Sequence, residues 1–187
     1  CVVDGNHLDA KPRAATFAHH MASSGAQPFG ASLEFIVAGN TFHHTRAGIA
    51  TWSPYMFHRY ENNRFIGNHR GLKFGGGTGT VVRGNTADGL LDGFIRLGSS
   101  YKAGTGFDVI EHNRGSNLPV FMHFGNQWNN APEGDQKVLI YRNRFARGST
   151  DGALSIAVRA PDPSGLNLLE NDFEGFAAEI AAGDEKK

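Results

Sequence analysis

The sequence predicts an all-β protein: a right-handed parallel β-helix, a single-stranded solenoid of about six to seven coils with an Asn ladder. Three observations carry this expectation. A short apolar strand ending in Asn recurs along the chain. A second short strand follows most copies and alternates with period two. The stretches between are rich in glycine, which makes up 25 of the 187 residues, and they lack helical patterning.

The repeat appears as Val37-Ala38-Gly39-Asn40-Thr41-Phe42, Tyr60-Glu61-Asn62-Asn63-Arg64-Phe65 and Val82-Arg83-Gly84-Asn85-Thr86-Ala87. It continues as Ile110-Glu111-His112-Asn113, Ile140-Tyr141-Arg142-Asn143-Arg144-Phe145 and Leu168-Leu169-Glu170-Asn171-Asp172-Phe173. Asn6 offers an earlier copy. The steps from Asn40 are 23, 22, 28, 30 and 28 residues, a period that denotes stacked repeats. An Asn at one fixed turn can bond both to the Asn above and to the turn's backbone, satisfying polar groups that stacking would bury. Phe42, Phe65, Phe145 and Phe173, two residues on, are expected to point inward as an aromatic stack. A leucine-rich repeat would need an apolar residue eight before the Asn. That position holds Ser32, Tyr55, Gly77, Thr105, Asp135 and Pro163.

The second strands read Gly71-Leu72-Lys73-Phe74-Gly75, Phe94-Ile95-Arg96-Leu97-Gly98 and Phe121-Met122-His123-Phe124-Gly125, with Leu154-Ser155-Ile156-Ala157-Val158 as a looser fourth. Alternation of apolar with charged residues or His marks strands with one buried face. Aligned on the closing Gly, the inward columns are Leu72, Ile95, Met122 and Phe74, Leu97, Phe124. Lys73, Arg96 and His123 form an outward column. Gly71, Phe94 and Phe121 form another column, which strict alternation also points outward. Glu61, Arg83 and Glu111 form a column of alternating sign.

Apolar residues make up 40 % of the chain, enough for a core, and no stretch nears the length of a membrane span. Lys+Arg and Asp+Glu are both 18, so the basic excess expected of a nucleic-acid binder is lacking. Residues 1–187 read as one domain, with 1–30 an irregular first coil or lateral loop and 183–187 a tail. Residues 13–24 break the pattern, as a short helix or a lateral loop. Cys1 has no intrachain partner for a disulfide, and a chain opening on Cys1 reads as one excised from a longer protein.

Stacking Lys73, Arg96 and His123 on one ladder is unfavourable unless something offsets it, and an anionic ligand would do so. Phe94 and Phe121, read as exposed, would offer a surface for a sugar ring. His69 and Arg70 in the preceding turn, and Tyr101 and Trp128 in the following loops, are further candidate substrate-binding residues. The competing reading makes the column an ordinary solvated face. Asp88-Gly89 and Asp92-Gly93 are a candidate calcium site, since carboxylates are hard oxygen ligands, although Asp-Gly is also common turn chemistry. No other cofactor is called for.

The strand-Asn-x-Phe copies, over about residues 31–180, resemble the pectate-lyase-like β-helix superfamily. That resemblance implies a carbohydrate-active protein acting on an acidic, uronate-containing polysaccharide, in an extracellular, periplasmic or cell-surface setting. The Lys73-then-Arg96 pair on successive coils is similar to the chondroitinase-B and alginate-lyase branch. It implies β-elimination with Lys73 as base and Arg96 as acid, His123 standing beside them. The Asn-Lys-Ser and Arg-His-Gly strings of that branch are absent, as are the Gly-His-Gly and Arg-Ile-Lys strings of polygalacturonases. The alternative is a non-catalytic carbohydrate-binding or structural module of a surface protein, adhesin or tailspike.

Overall fold

The computed structural model describes residues 2–4, 7–9, 24–26, 32–51, 55–74, 77–97, 107–124, 137–148, 156–160 and 163–182. Among them the regular structure is all strand, arranged as the expected parallel β-helix. The chain winds through three seven-stranded sheets, and each strand pairs in parallel with its counterparts one coil away. The first sheet comprises Val2–Asp4, Ile36–Ala38, Arg59–Glu61, Val81–Arg83, Phe107–Glu111, Lys137–Tyr141 and Leu166–Leu169. The second comprises His7–Asp9, Thr41–His43, Arg64–Ile66, Thr86–Asp88, Arg114–Leu118, Arg144–Arg147 and Asp172–Glu174. The third comprises Ser24–Ala26, Ala47–Ala50, Arg70–Phe74, Gly93–Leu97, Met122–Phe124, Ile156–Ala160 and Ala178–Ala182. A three-stranded ribbon of Ser32–Leu33, Tyr55–Met56 and Gly77–Thr78 lies between the third sheet and the next coil's first. No helix of the described residues is long and apolar enough to cross a membrane.

The corner between the first and second sheets is the Asn ladder. Asn40 Nδ2 donates to Asn63 Oδ1 at 3.1 Å, and the contact repeats from Asn63 to Asn85, Asn85 to Asn113, Asn113 to Asn143 and Asn143 to Asn171. Each receiving Oδ1 also accepts the backbone N–H of the preceding Asn. The second amide hydrogen goes to a backbone carbonyl, as from Asn85 to Tyr60 O at 2.8 Å. Asn40, Asn63, Asn85, Asn113 and Asn143 are buried, and Asn171 partly so. The residue before each ladder Asn turns the chain through positive φ. Gly39 and Gly84 do this without strain, whereas His112, Arg142 and Glu170 hold φ between 50° and 54° against their side chains.

The core is filled by two aromatic columns that exchange roles. The second-sheet column runs Phe42, Phe65, Ala87, Gly115, Phe145 and Phe173 in strict register. The facing column, at the corner where the third sheet begins, runs Gly71, Phe94, Phe121 and Ala157. Phe94 and Phe121 therefore occupy the two coils whose second-sheet position is small. Phe94 packs 6.0 Å from Phe65 and 5.0 Å from Phe145, and Phe121 lies 4.8 Å from Phe145 and 5.1 Å from Phe173. In the two coils before them, where Phe42 and Phe65 supply the ring, the corner is Gly48 and Gly71. A Cβ at Gly71 would sit 2.8 Å from the Phe94 carbonyl and 2.9 Å from its ring.

This corrects the expectation that Phe94 and Phe121 are exposed sugar-stacking residues: both are fully buried. Their column is the expected one and their direction is the reverse. Phe94 and Ile95 both point inward because the chain bends into the third sheet there, and alternation holds only along the straight part. Leu72, Ile95, Leu97 and Met122 are buried as expected, with Phe124 and Phe173 partly buried against the same core. Cys1, Asn6, residues 13–23, Tyr101, Trp128, residues 183–187 and the side chain of Phe74 lie outside the described residues.

Candidate functional site

The third sheet carries the outward column in the expected register. Lys73 pairs with Arg96, Arg96 with His123, and His123 with Arg159, at successive rungs about 4.8 Å apart. Inward Leu72, Ile95, Met122 and Val158 on the preceding positions fix this direction, since a one-residue slip would put charges in the core. The turn that enters the third sheet adds more charge. Arg70 opens its strand level with Ala47 and Gly93, and Arg46, His69 and Asp92 stand one residue earlier.

Asp92 is the carboxylate bound among these cations. Arg70 Nε donates to its Oδ2, and Arg96 approaches the same oxygen at 4.0 Å. His123 Nε2 lies 3.9 Å from Oδ1. Burial would raise the Asp92 carboxyl's pKa, but the Arg70 guanidinium outweighs it and holds the group below its ordinary value. The surrounding groups are not solvated: Arg70 and Arg96 are each 9 % exposed and His123 is 8 % exposed. Within the column Arg96 and His123 are buried, and Lys73 and Arg159 partly so.

Lys73 feels the cluster most strongly. Burial, then Arg70, Arg46 and Arg96, push its ammonium down to about 7. His69 is lowered too, first by burial and then by Arg70, Arg46 and Arg96, with Asp92 opposing them. Its Nδ1 is buried without a hydrogen-bond partner among the described residues. The site thus offers an amine that loses its proton near neutrality, guanidinium groups that keep theirs, and an imidazole on the adjoining rung. Together they suit a ligand with negative charge and can take a proton from it.

The other predicted residues fall elsewhere. Asp88 lies on the outer face of the second sheet, where its Oδ1 accepts from Ser116 Oγ and Asn117 Nδ2, both at 2.8 Å. Those bonds hold its carboxyl below the usual value. Asp92 is bonded to Arg70 around the corner. Calcium takes six to eight oxygens, and among the described residues no group of three His, Cys, Asp or Glu could hold a metal. Asp88 and Asp92 do not fit a shared calcium site, and Asp92 belongs to the cation cluster.

Sequence reasoning missed Arg159 as a neighbour of the column. Arg159 was hidden because the fourth strand was framed at Leu154–Val158. The apolar-charged-apolar triplet that matches the others is Val158-Arg159-Ala160. Arg46 stands in the turn one coil before Arg70, whose N–H donates to the Arg46 carbonyl at 3.0 Å. No protein-family profile, curated protein or solved structure matches the chain, so its function is argued from these residues.

Proposed function

We propose that this chain is a carbohydrate-active β-helix, of the pectate-lyase-like kind, that binds a uronate-containing polysaccharide across the third sheet and cleaves it by β-elimination. The observation that carries the reading is the placement of Lys73, partly buried in register with Arg96 and beside Arg46 and Arg70, where burial and these cations push its ammonium down to about 7. Such an amine is a proton acceptor at physiological pH, and its neighbours supply the positive field that a uronate carboxylate requires.

In the proposed reaction the carboxylate lies against Arg70 and Arg96, whose charge makes the proton on the adjacent ring carbon removable. The Lys73 amine takes that proton. The electron pair forms a carbon–carbon double bond, and the neighbouring carbon–oxygen bond to the leaving sugar breaks. The leaving oxygen needs a proton. A guanidinium keeps its own near neutrality, so His123 takes the donor's part that the resemblance gives to Arg96. The stacked rungs suit an extended polymer, and such polymers place the protein outside the cell, in the periplasm or at a cell surface.

The test is the absorbance of unsaturated uronate released from a panel of acidic polysaccharides. Lys73→Ala is expected to reduce turnover about 10²–10⁴-fold, with the fold intact because the side chain points out of the core. Retention of the polymer without any unsaturated product, lost on Lys73→Ala/Arg96→Ala, would instead make the chain a binding module. Neither product nor retention would remove the carbohydrate reading.

A further inference from the structure

The outer face of the second sheet holds a groove of about 650 Å³. Arg64, Arg114 and Arg144 line one side of it, and Asp88, Ser116 and Glu174 the other. The arginines belong to a single ladder that runs Arg64, Thr86, Arg114, Arg144 and Asp172. A second hollow of about 390 Å³ opens beyond Arg114 and Arg144, which form the wall between the two.

The charges here are handled unlike those on neighbouring ladders. Arg83 is bridged to Glu111 and Arg142 to Glu170 on the next rung. Arg144 is bridged to Asp172 at 3.1 Å. Arg114, by contrast, stands between Thr86 and Arg144, and no carboxylate among the described residues bonds to it. Like charges directly opposite on adjacent strands are destabilising, so the Arg114–Arg144 rung is one that an anion would relieve. The opposite side of the groove is equally organised. Ser116 stands in register with Asp88, and Asn117, at φ 58°, donates to the same carboxylate oxygen, which fixes it in place.

Guanidinium forks match carboxylate and sulfate oxygens, while fixed carboxylates such as Asp88 accept hydroxyl hydrogens. A saccharide brings both an anion for the forks and ring hydroxyls for Asp88 and Glu174, whereas a chain of bare phosphates offers those carboxylates no donor. We infer that the outer face of the second sheet is a binding site for an acidic saccharide, lying along the coil axis over Arg64, Arg114 and Arg144 and separate from the third-sheet cluster. This site needs no lyase chemistry. It anchors the polymer on a second face, so that one chain engages the protein at two places.

Calorimetric titration of the full chain tests it, with hexameric oligogalacturonate and a heparin hexasaccharide as probes. The background is Lys73→Ala/Arg96→Ala, so that loss of the third-sheet site cannot mimic the result. A binding event is expected to persist in that background and to weaken at least tenfold when Arg64→Ala and Arg114→Ala are added. Both side chains are exposed, so the fold should hold, which the circular dichroism spectrum checks. Preference for oligogalacturonate names the carboxylate as the recognised group, and preference for heparin names the sulfate. No binding in the background, unchanged binding in the quadruple variant, or equal binding of inorganic polyphosphate would each overturn the inference.

Discussion

The first and third sheets carry ladders of charge at the same rung spacing and treat them in opposite ways. On the first sheet Glu61, Arg83 and Glu111 stand in register with alternating sign, and Arg83, half exposed, reaches Glu111 at 2.6 Å. On the third sheet Lys73, Arg96, His123 and Arg159 stand in register with no carboxylate on the ladder between them, and Arg96 and His123 are buried. Parallel stacking forces chemically equivalent positions together, so a solenoid must either alternate charges or find another use for the strain. Alternation reads as upkeep of the fold. The like-charged column, sunk below the surface with a lysine brought down to about 7, reads as a site.

The difference extends into the core behind each ladder. Behind the third sheet the packing depends on one ring per coil, drawn from either of two columns. Phe94→Ala should therefore have the largest effect on stability, about 3–5 kcal/mol, measured by denaturant unfolding. Adding Ala87→Phe, which restores a ring on the opposite wall of the same coil, should recover a good part of the loss. Recovery of none would mean that the two columns do not share one space.

The Asn corner comes next. Asn85 is bonded to Asn63, Asn113 and the Tyr60 carbonyl. Asn85→Leu fits the volume but leaves those groups unsatisfied, and should cost about 1–3 kcal/mol in the same unfolding experiment. A variant as stable as the parent would reduce the ladder to a mark of the repeat rather than a source of stability.

How much of this could be read in the sequence follows from the same contrast. The Asn ladder was legible because one residue type marks one corner in each of the six copies. The register of Lys73, Arg96 and His123 was legible because the strands close on a shared glycine. Phe94 and Phe121 were misdirected because period-two reasoning stops at a bend, where two successive residues face inward. A signal was nonetheless present: these phenylalanines occur in the two coils where Ala87 and Gly115 replace the usual ring. Asp92 was read as a metal ligand because Asp-Gly pairs look alike in sequence. Only the fold shows that one of them meets Arg70 while Asp88 meets Ser116.

The third-sheet lysine separates the two regions by pH. Its folded pKa is lowered to about 7, below its unfolded value, by burial and by Arg70, Arg46 and Arg96. Between that value and the ordinary lysine range the unfolded chain binds more protons than the folded one, so stability attributable to Lys73 rises with pH across that window. Below pH 7 both states are protonated and the unfavourable charge is fully present. Lys73→Met should therefore stabilise the protein at pH 6 and lose that advantage as pH approaches 10, followed as the difference between the two thermal midpoints. A constant difference across the range would mean that Lys73 keeps its proton in the folded state, and the proposed base would be lost with it.

The smallest effect belongs to the first sheet. Arg83 is half exposed, and its partner Glu111 accepts from Nε at 2.7 Å. Water competes for the Arg83 guanidinium, while the Glu111 side chain is 14 % exposed, and holding a long side chain in place costs entropy that offsets the attraction. A double-mutant cycle of Arg83→Ala and Glu111→Ala should give a coupling of about 0–1 kcal/mol, and less at high salt, where exposed pairs are screened. Its value lies in the contrast. A lone like charge on that ladder, as in Glu111→Lys, places a third-sheet arrangement on an open surface. If that change costs no more than Glu111→Ala, solvent alone tolerates stacked cations, and burial rather than register is what makes the Lys73 column exceptional. A clearly larger cost would show that register by itself imposes the strain, and that the third sheet retains it for its ligand.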